Sequence, residues 1–237
     1  MWRRDMMESV LTVAINYGNP VLAHRNRQGL PAGVSVDLAR RIADSLSLRC
    51  QFVTFNAAKD ASDAVGAGAC DIGFFAVDPA RAEKIAFTRP YLAIQGNYLV
   101  RDGSPYLCNE DVDQQGVLIA VGAGSAYDLY LTRNIRHATL VRESSSPEVV
   151  DTFIRLDLDV AAGVRAQLVA DAARVEGLRV IEPCFMQIHQ AIGVSLSLGA
   201  TLIKPLNQFI TRSIEDGFIR EMLERHCVQG DVITDGS

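Results

Sequence analysis

No stretch of this 237-residue chain stays apolar over the ~20 residues that a transmembrane helix needs, which excludes a helical integral membrane protein. The five cysteines, Cys50, Cys70, Cys108, Cys184 and Cys227, are odd in number and contain no CxxC pair. That argues against a zinc ribbon or a thioredoxin-like redox centre. Cys50 and Cys70 each precede a predicted strand, which allows them to be neighbours, and the thiols are expected to be reduced and mostly buried. The four histidines, His24, His137, His189 and His226, are dispersed, with no HExxH and no carboxylate at ligand spacing, so no metal site is expected. There is no GxSxG elbow, no Walker A motif and no complete GxGxxG fingerprint, and no cofactor is expected. Lys and Arg are scattered, and the net charge is −5, so neither nucleic acid nor an anionic membrane is indicated as a partner. The opening residues, Met1-Trp-Arg-Arg-Asp-Met-Met-Glu-Ser-Val, have basic groups but no apolar core and no small-residue cleavage site. The expectation is a cytoplasmic chain, or a periplasmic one from which a leader has been removed.

An apolar fraction of 49% can support a sizeable core. Leu11 to Ile15, Gln51 to Phe55 and Asp71 to Val77 read as strands. Between them, Ser35 to Leu46 and Ala57 to Ala67 read as helices, with Ser35 as N-cap of the first. Strand, helix, strand, helix, strand at this spacing predicts a parallel sheet with right-handed crossovers. Tyr91 to Arg101 is a longer strand-like run, followed by a polar passage. The alternation restarts at Val117, with strands over 117–121, 140–142, 159–162 and 178–181, helices between them, and a further strand over 189–195. Two further helices, 200–214 and 218–226, close the chain. The pattern predicts two α/β lobes with the chain crossing between them more than once.

Four loops at strand ends draw attention. Asp78-Pro79 breaks the run Ile72–Val77, and Arg81 follows just past the strand end, where open α/β sheets bind ligands. A guanidinium there can hold a carboxylate with two parallel hydrogen bonds; the alternative is a surface arginine paired with Glu83 or Asp78. Gly122-Ala-Gly124-Ser125-Ala-Tyr127 lies between a strand and a helix, where free N–H groups suit an anion, although a serine-capped turn explains it equally well. Glu143-Ser-Ser-Ser146 reads as helix capping. After the first strand come Asn16, Tyr17 and Asn19, with Tyr17 able to wall a pocket. His189 reads as a structural histidine.

The order of these pieces resembles family 3 extracellular solute-binding proteins, over about Leu11 to His226. The motifs are Gly29-Leu-Pro-Ala-Gly33-Val-Ser-Val-Asp37-Leu-Ala, Asp78-Pro-Ala-Arg81-Ala-Glu-Lys-Ile-Ala-Phe87-Thr-Arg-Pro90-Tyr91, and Gln190-Ala-Ile-Gly193-Val. The resemblance implies the two-lobed type II periplasmic binding fold, each lobe a mainly parallel sheet flanked by helices, with a ligand cleft between them. One lobe is expected from 10–98 plus 194–230 and the other from 99–193, with tails at 1–9 and 231–237. It also implies a non-enzymatic, monomeric binder of a small organic carboxylate, served by an ABC transporter permease. The expected ligand-binding residues are Asn16, Tyr17, Phe74, Phe75, Ala76, Arg81, Gly124, Ser125, Tyr127, Gly163 and Arg165. Arg81 takes the carboxylate with help from Ser125, and Arg165 is placed for a second acid group. Where such proteins usually carry a carboxylate for the ligand ammonium, this chain has Val164, which points to an amine-free acid. The alternative is a cyclohexadienyl dehydratase-like enzyme, for which Glu143 and His189 are the nameable acids.

Overall fold

The computed structural model describes residues 10–234. The expected tail 1–9, and residues 235–237 of the expected tail 231–237, lie outside the described residues. In chain order the first elements are β1 (Val10–Asn16), a small hairpin of β2 (His24–Arg25) and β3 (Pro31–Ala32), α1 (Val34–Ser45), β4 (Arg49–Phe55), α2 (Ala58–Gly66), β5 (Ile72–Ala76), α3 (Pro79–Ala82), β6 (Ile85–Phe87) and β7 (Leu92–Arg101). The next are β8 (Leu118–Gly122), α4 (Ala126–Asn134), β9 (Thr139–Glu143), α5 (Val149–Arg155), β10 (Val160–Val164) and α6 (Arg165–Arg174). The chain then returns through β11 (Leu178–Ser195), α7 (Leu196–Glu215), α8 (Phe218–Arg225) and β12 (Asp231–Val232).

The main sheet runs in the order β4-β1-β5-β11-β7-β10-β8-β9. Its two ends are parallel: β1 pairs with β4 and β5, and β8 pairs with β9 and β10. The long strands β7 and β11 run antiparallel to each other and to their other neighbours, and they join the two α/β lobes. Where two separate strands are expected over 178–195, there is one strand of 18 residues whose register shifts between Ile181 and Met186. Asp231 and Val232, expected within a tail, pair with Ala93 and Leu92.

Alternation along the strands divides the core into layers. In β1, Leu11, Val13 and Ile15 pack with Leu38 and Ile42 of α1, Leu206 and Ile210 of α7, and Ile219 and Met222 of α8. Ala14 points the other way, under α2, among Ala61, Val65 and Ile85. In the other lobe Val100, Ile119, Val121 and Val160 meet Leu131 of α4 on one face. Leu99, Ala120 and Ala161 meet Phe153 of α5 and Leu168 of α6 on the opposite face. Both lobes are thus covered on two faces, as parallel sheets require.

Three local expectations are corrected. Gly33, not Ser35, precedes α1, whose first residue is Val34. Cys50 packs at the edge of the α1-side core and Cys70 on the α2 side, so the two are not neighbours; β1 separates their strands. Of the thiols, all free, Cys70 alone is buried, and Cys227 is exposed. Among the described residues no helix is long and apolar enough to cross a membrane.

Candidate ligand-binding cleft

The parallel strands of both lobes end at one cleft, which is where the ligand rule for open sheets places a site. The first lobe contributes Asn16, Gly18 and Asn19 after β1, Phe74, Phe75 and Ala76 of β5, and Arg81 of α3. The second contributes Ser125, Ala126 and Tyr127 at the start of α4, Ser146, and Val164 at the end of β10. Ile188 and Gln190 of β11 form part of the lining. The cavity between these walls is about 50 Å³, room for a few water molecules, so a ligand held with the walls in this position is small.

Arg81 is 7% exposed and sits between the two lobes. Its Nη1 donates to the Ala76 carbonyl at 3.1 Å, and its Nη2 donates across the cleft to the Gly124 carbonyl at 2.8 Å. Among the described residues it has no ion-pair partner, because the Asp78 carboxylate is taken by Arg133. The reading of Arg81 as a surface group paired with Asp78 or Glu83 is therefore overturned. Burial pulls its pKa down to about 10, opposed by the nearby Asp78 charge, and the group is cationic at neutral pH. A buried cation is costly unless an anion compensates it.

The facing loop opens α4. Ser125 caps α4, its Oγ accepting from the Asp128 N–H at 3.1 Å. Asp128 is a positioning residue: it accepts from the Gly124 N–H at 2.8 Å and is held by Arg142 at 3.0 Å. Gly124 has φ +66°, and a Cβ there would meet Lys59 of the other lobe at 2.8 Å, so this close approach requires glycine. Burial pushes the Tyr127 phenol pKa up, while hydrogen bonds with Ser146, Ser125 and the Gly122 backbone oppose this. The serines after Glu143 make no side-chain cap of the following helical turns; Ser146 turns to the cleft instead.

Of the sequence-predicted set, Asn16, Phe74, Phe75, Ala76, Arg81, Ser125 and Tyr127 meet in this cleft, and Gly124 meets Arg81 through its carbonyl. Phe75 packs chiefly under α2, with Val65 and Ile85. Tyr17 is not in the lining: it packs against the first core, and Arg25 stacks over its ring at 4.6 Å. Gly163 lines an adjoining recess with Asn19, Tyr127, Val164, Leu168 and Asp171. Arg165 leaves the cleft altogether, its Nε bonded to Glu182 at 2.6 Å in a separate depression beside Gln95 and Asp231. Neither acid named for dehydration lines the cleft. Glu143 accepts from Thr152 Oγ1 at 2.7 Å, which leads in holding its carboxyl below the usual range, and His189 is exposed. Among the described residues, Arg81 is the sole charged side chain in the cleft lining.

Gln190 was not foreseen as a site residue, although the strand 188–194 carries a signal for it. Ile188, Ile192 and Val194 are the apolar members of one face, and Gln190 is the polar interruption.

Two α/β lobes joined by crossing strands, with a buried cation at the cleft between them, define a type II periplasmic binding protein. Residues 11–229 match the model of the bacterial extracellular solute-binding proteins, family 3, and the chain belongs to that family. No curated protein sequence matches it significantly. Solved structures share the fold at low identity. A cysteine-binding protein from Campylobacter jejuni is 20% identical, with a TM-score of 0.79, covering 95% of this chain and 92% of that one. A mutant of ArgBP from T. maritima is 19% identical, with a TM-score of 0.80 and coverage of 93% and 96%. An ancestral amino acid-binding protein, a precursor of cyclohexadienyl dehydratase, is 18% identical, with a TM-score of 0.78 and coverage of 92% and 94%.

Proposed function

We propose that this chain is a non-enzymatic solute-binding protein that closes on a small, amine-free organic carboxylate and delivers it to an ABC-type permease. The observation that carries the reading is Arg81: a buried guanidinium between the lobes, bonded to two carbonyls and to no carboxylate. Its spare N–H donors, with the Ser125 hydroxyl, match the two oxygens of a carboxylate. Among the described residues the cleft lining has no acid to neutralise a ligand ammonium: Val164 occupies the expected place, and Asp171 in the adjoining recess is engaged by Arg174 and Gln167. Burying an ammonium there would leave it unpaired. The same lack of an acid in the lining favours binding over dehydration, which needs a proton donor beside the leaving hydroxyl. In this reading residues 10–98 with 194–230 and residues 99–193 move against each other as the two lobes.

The test is calorimetric titration of the purified protein with amino acids and with matched carboxylates that lack the amine. The amine-free acids are expected to bind and raise the melting temperature. Arg81→Ala is expected to weaken binding by about 2–5 kcal/mol while the fold persists. Retained affinity in Arg81→Ala, or binding that strictly requires the ammonium, would overturn the proposal.

A further inference from the structure

Gln190 is 4% exposed and lines the cleft, yet among the described residues its side-chain carboxamide makes no hydrogen bond. It interrupts an apolar file, with Ile188 and Ile192 two residues to either side on the same face of β11. The amide is not among the side-chain groups sealed from solvent without a partner, so its polar atoms keep solvent contact, and the residue lines the cleft. Its position ties it to the anchor: Gln190 lies opposite Ala76 of β5, whose carbonyl accepts from Arg81 Nη1. The Oδ1 atom of Asn19, also in the lining, is buried without a partner.

We infer that Gln190 is a ligand-contacting, specificity-determining residue whose carboxamide, together with that of Asn19, reads a hydroxyl on the carboxylate held by Arg81. The inference rests on the carboxylate reading above. A hydroxyl both donates and accepts, so it can satisfy the Asn19 oxygen and the Gln190 amide together. An oxo group only accepts and leaves the Asn19 oxygen unpaired. An ammonium brings a full charge into a lining whose one charged side chain, among the described residues, is a cation. The ligand class is therefore the hydroxy acids.

The experiment is titration of the full chain with two matched series: propionate, lactate, pyruvate and alanine, and the same four with a phenyl group on the terminal carbon. The readout is the affinity ratio of the hydroxy acid to its deoxy partner. The wild-type ratio is expected to be at least ~10, and Gln190→Met is expected to bring it close to unity. Gln190→Leu serves as a second replacement, and the melting temperature of each variant reports its folding. A hydroxy preference that survives both replacements, or a wild type that binds these acids through Arg81 without preferring the hydroxyl, overturns this inference and leaves the carboxylate reading standing. If no member of either series binds, the carboxylate reading falls and takes this inference with it.

Discussion

Arg133 reaches from α4 to the start of α3 and grips Asp78 with both ends of its guanidinium, Nη2 to Oδ2 at 2.6 Å and Nη1 to Oδ1 at 3.2 Å. Asp78 also accepts from the Ala80 N–H at 2.9 Å, so it caps the short helix that carries Arg81. The contact that spans the two walls and the cation that lines the cleft thus sit on one turn of chain. Together with the bond from Arg81 to Gly124, this ion pair holds the cleft in its narrow form.

Arg133→Ala is expected to loosen that form without touching the ligand. The Asp78 side chain is 5% exposed and that of Arg133 41%, so solvent screens one end of the pair. A contribution of about 1 kcal/mol follows, or roughly fivefold in affinity, expressed mainly as faster release. Stopped-flow release rates check this. An unchanged rate would show that the pair does not hold the walls together.

Gly124→Ala is expected to impair closure more than folding. Alanine at φ +66° costs about 1–2 kcal/mol, and its Cβ would press on the Lys59 side chain from the facing lobe. The expected result is a loss of affinity of at least ~10-fold, that strain being equivalent to a factor of that order, with a small drop in melting temperature. Comparing the dissociation constant with the unliganded melting curve separates the two effects.

Binding is expected to be flat from about pH 6 to 9. Below about pH 5 the ligand carboxylate takes up its proton, and affinity falls. Above about pH 10 Arg81 loses its charge, and affinity falls again. The stability of the unliganded protein responds with the opposite sign at that end. The native state releases the Arg81 proton near pH 10, before the unfolded state does, so this group's contribution to stability rises with pH from there. Titrations across the range check both directions.

Val164→Asp is expected to shift preference toward amino acids. The side chain lines the cleft, so the substitution places an anion where a ligand ammonium can meet it. Relative affinity for amino acids over matched amine-free acids should rise at least ~10-fold, while the unliganded protein loses about 1–3 kcal/mol to the desolvated acid. No change in the ratio would mean that ligands do not pass this wall.

Tyr91→Phe is expected to be neutral or stabilising. Tyr91 is fully buried, its hydroxyl has no partner among the described residues, and burial pushes its pKa upward. Removing the oxygen relieves an unmet desolvation cost of about 1 kcal/mol. Thermal melting checks this, and a clear loss of stability would show that the hydroxyl is engaged after all.

Local pattern made much of this protein legible in its sequence. Alternating strands and helices predicted the parallel units, because periodicity is a property of neighbouring residues. The Asp78-Pro79 break placed Arg81 at a strand end, and the glycines and serine at 122–125 announced a serine-capped turn from strand to helix. Val164 stood out because a carboxylate was expected there.

What sequence could not determine was the direction in which adjacent side chains point, since that depends on register with distant strands. His189 and Gln190 are neighbours, yet β11 pairs with β5 and β7 so that Gln190 enters the cleft and His189 remains exposed. Val164 and Arg165 separate in the same way: the first lines the cleft and the second, at the start of α6, turns to Glu182. Tyr17 goes to the core while Asn16 and Asn19 on either side of it line the cleft. The identity of each residue supplied its chemistry, and long-range pairing of the strands decided which of those groups share a cleft.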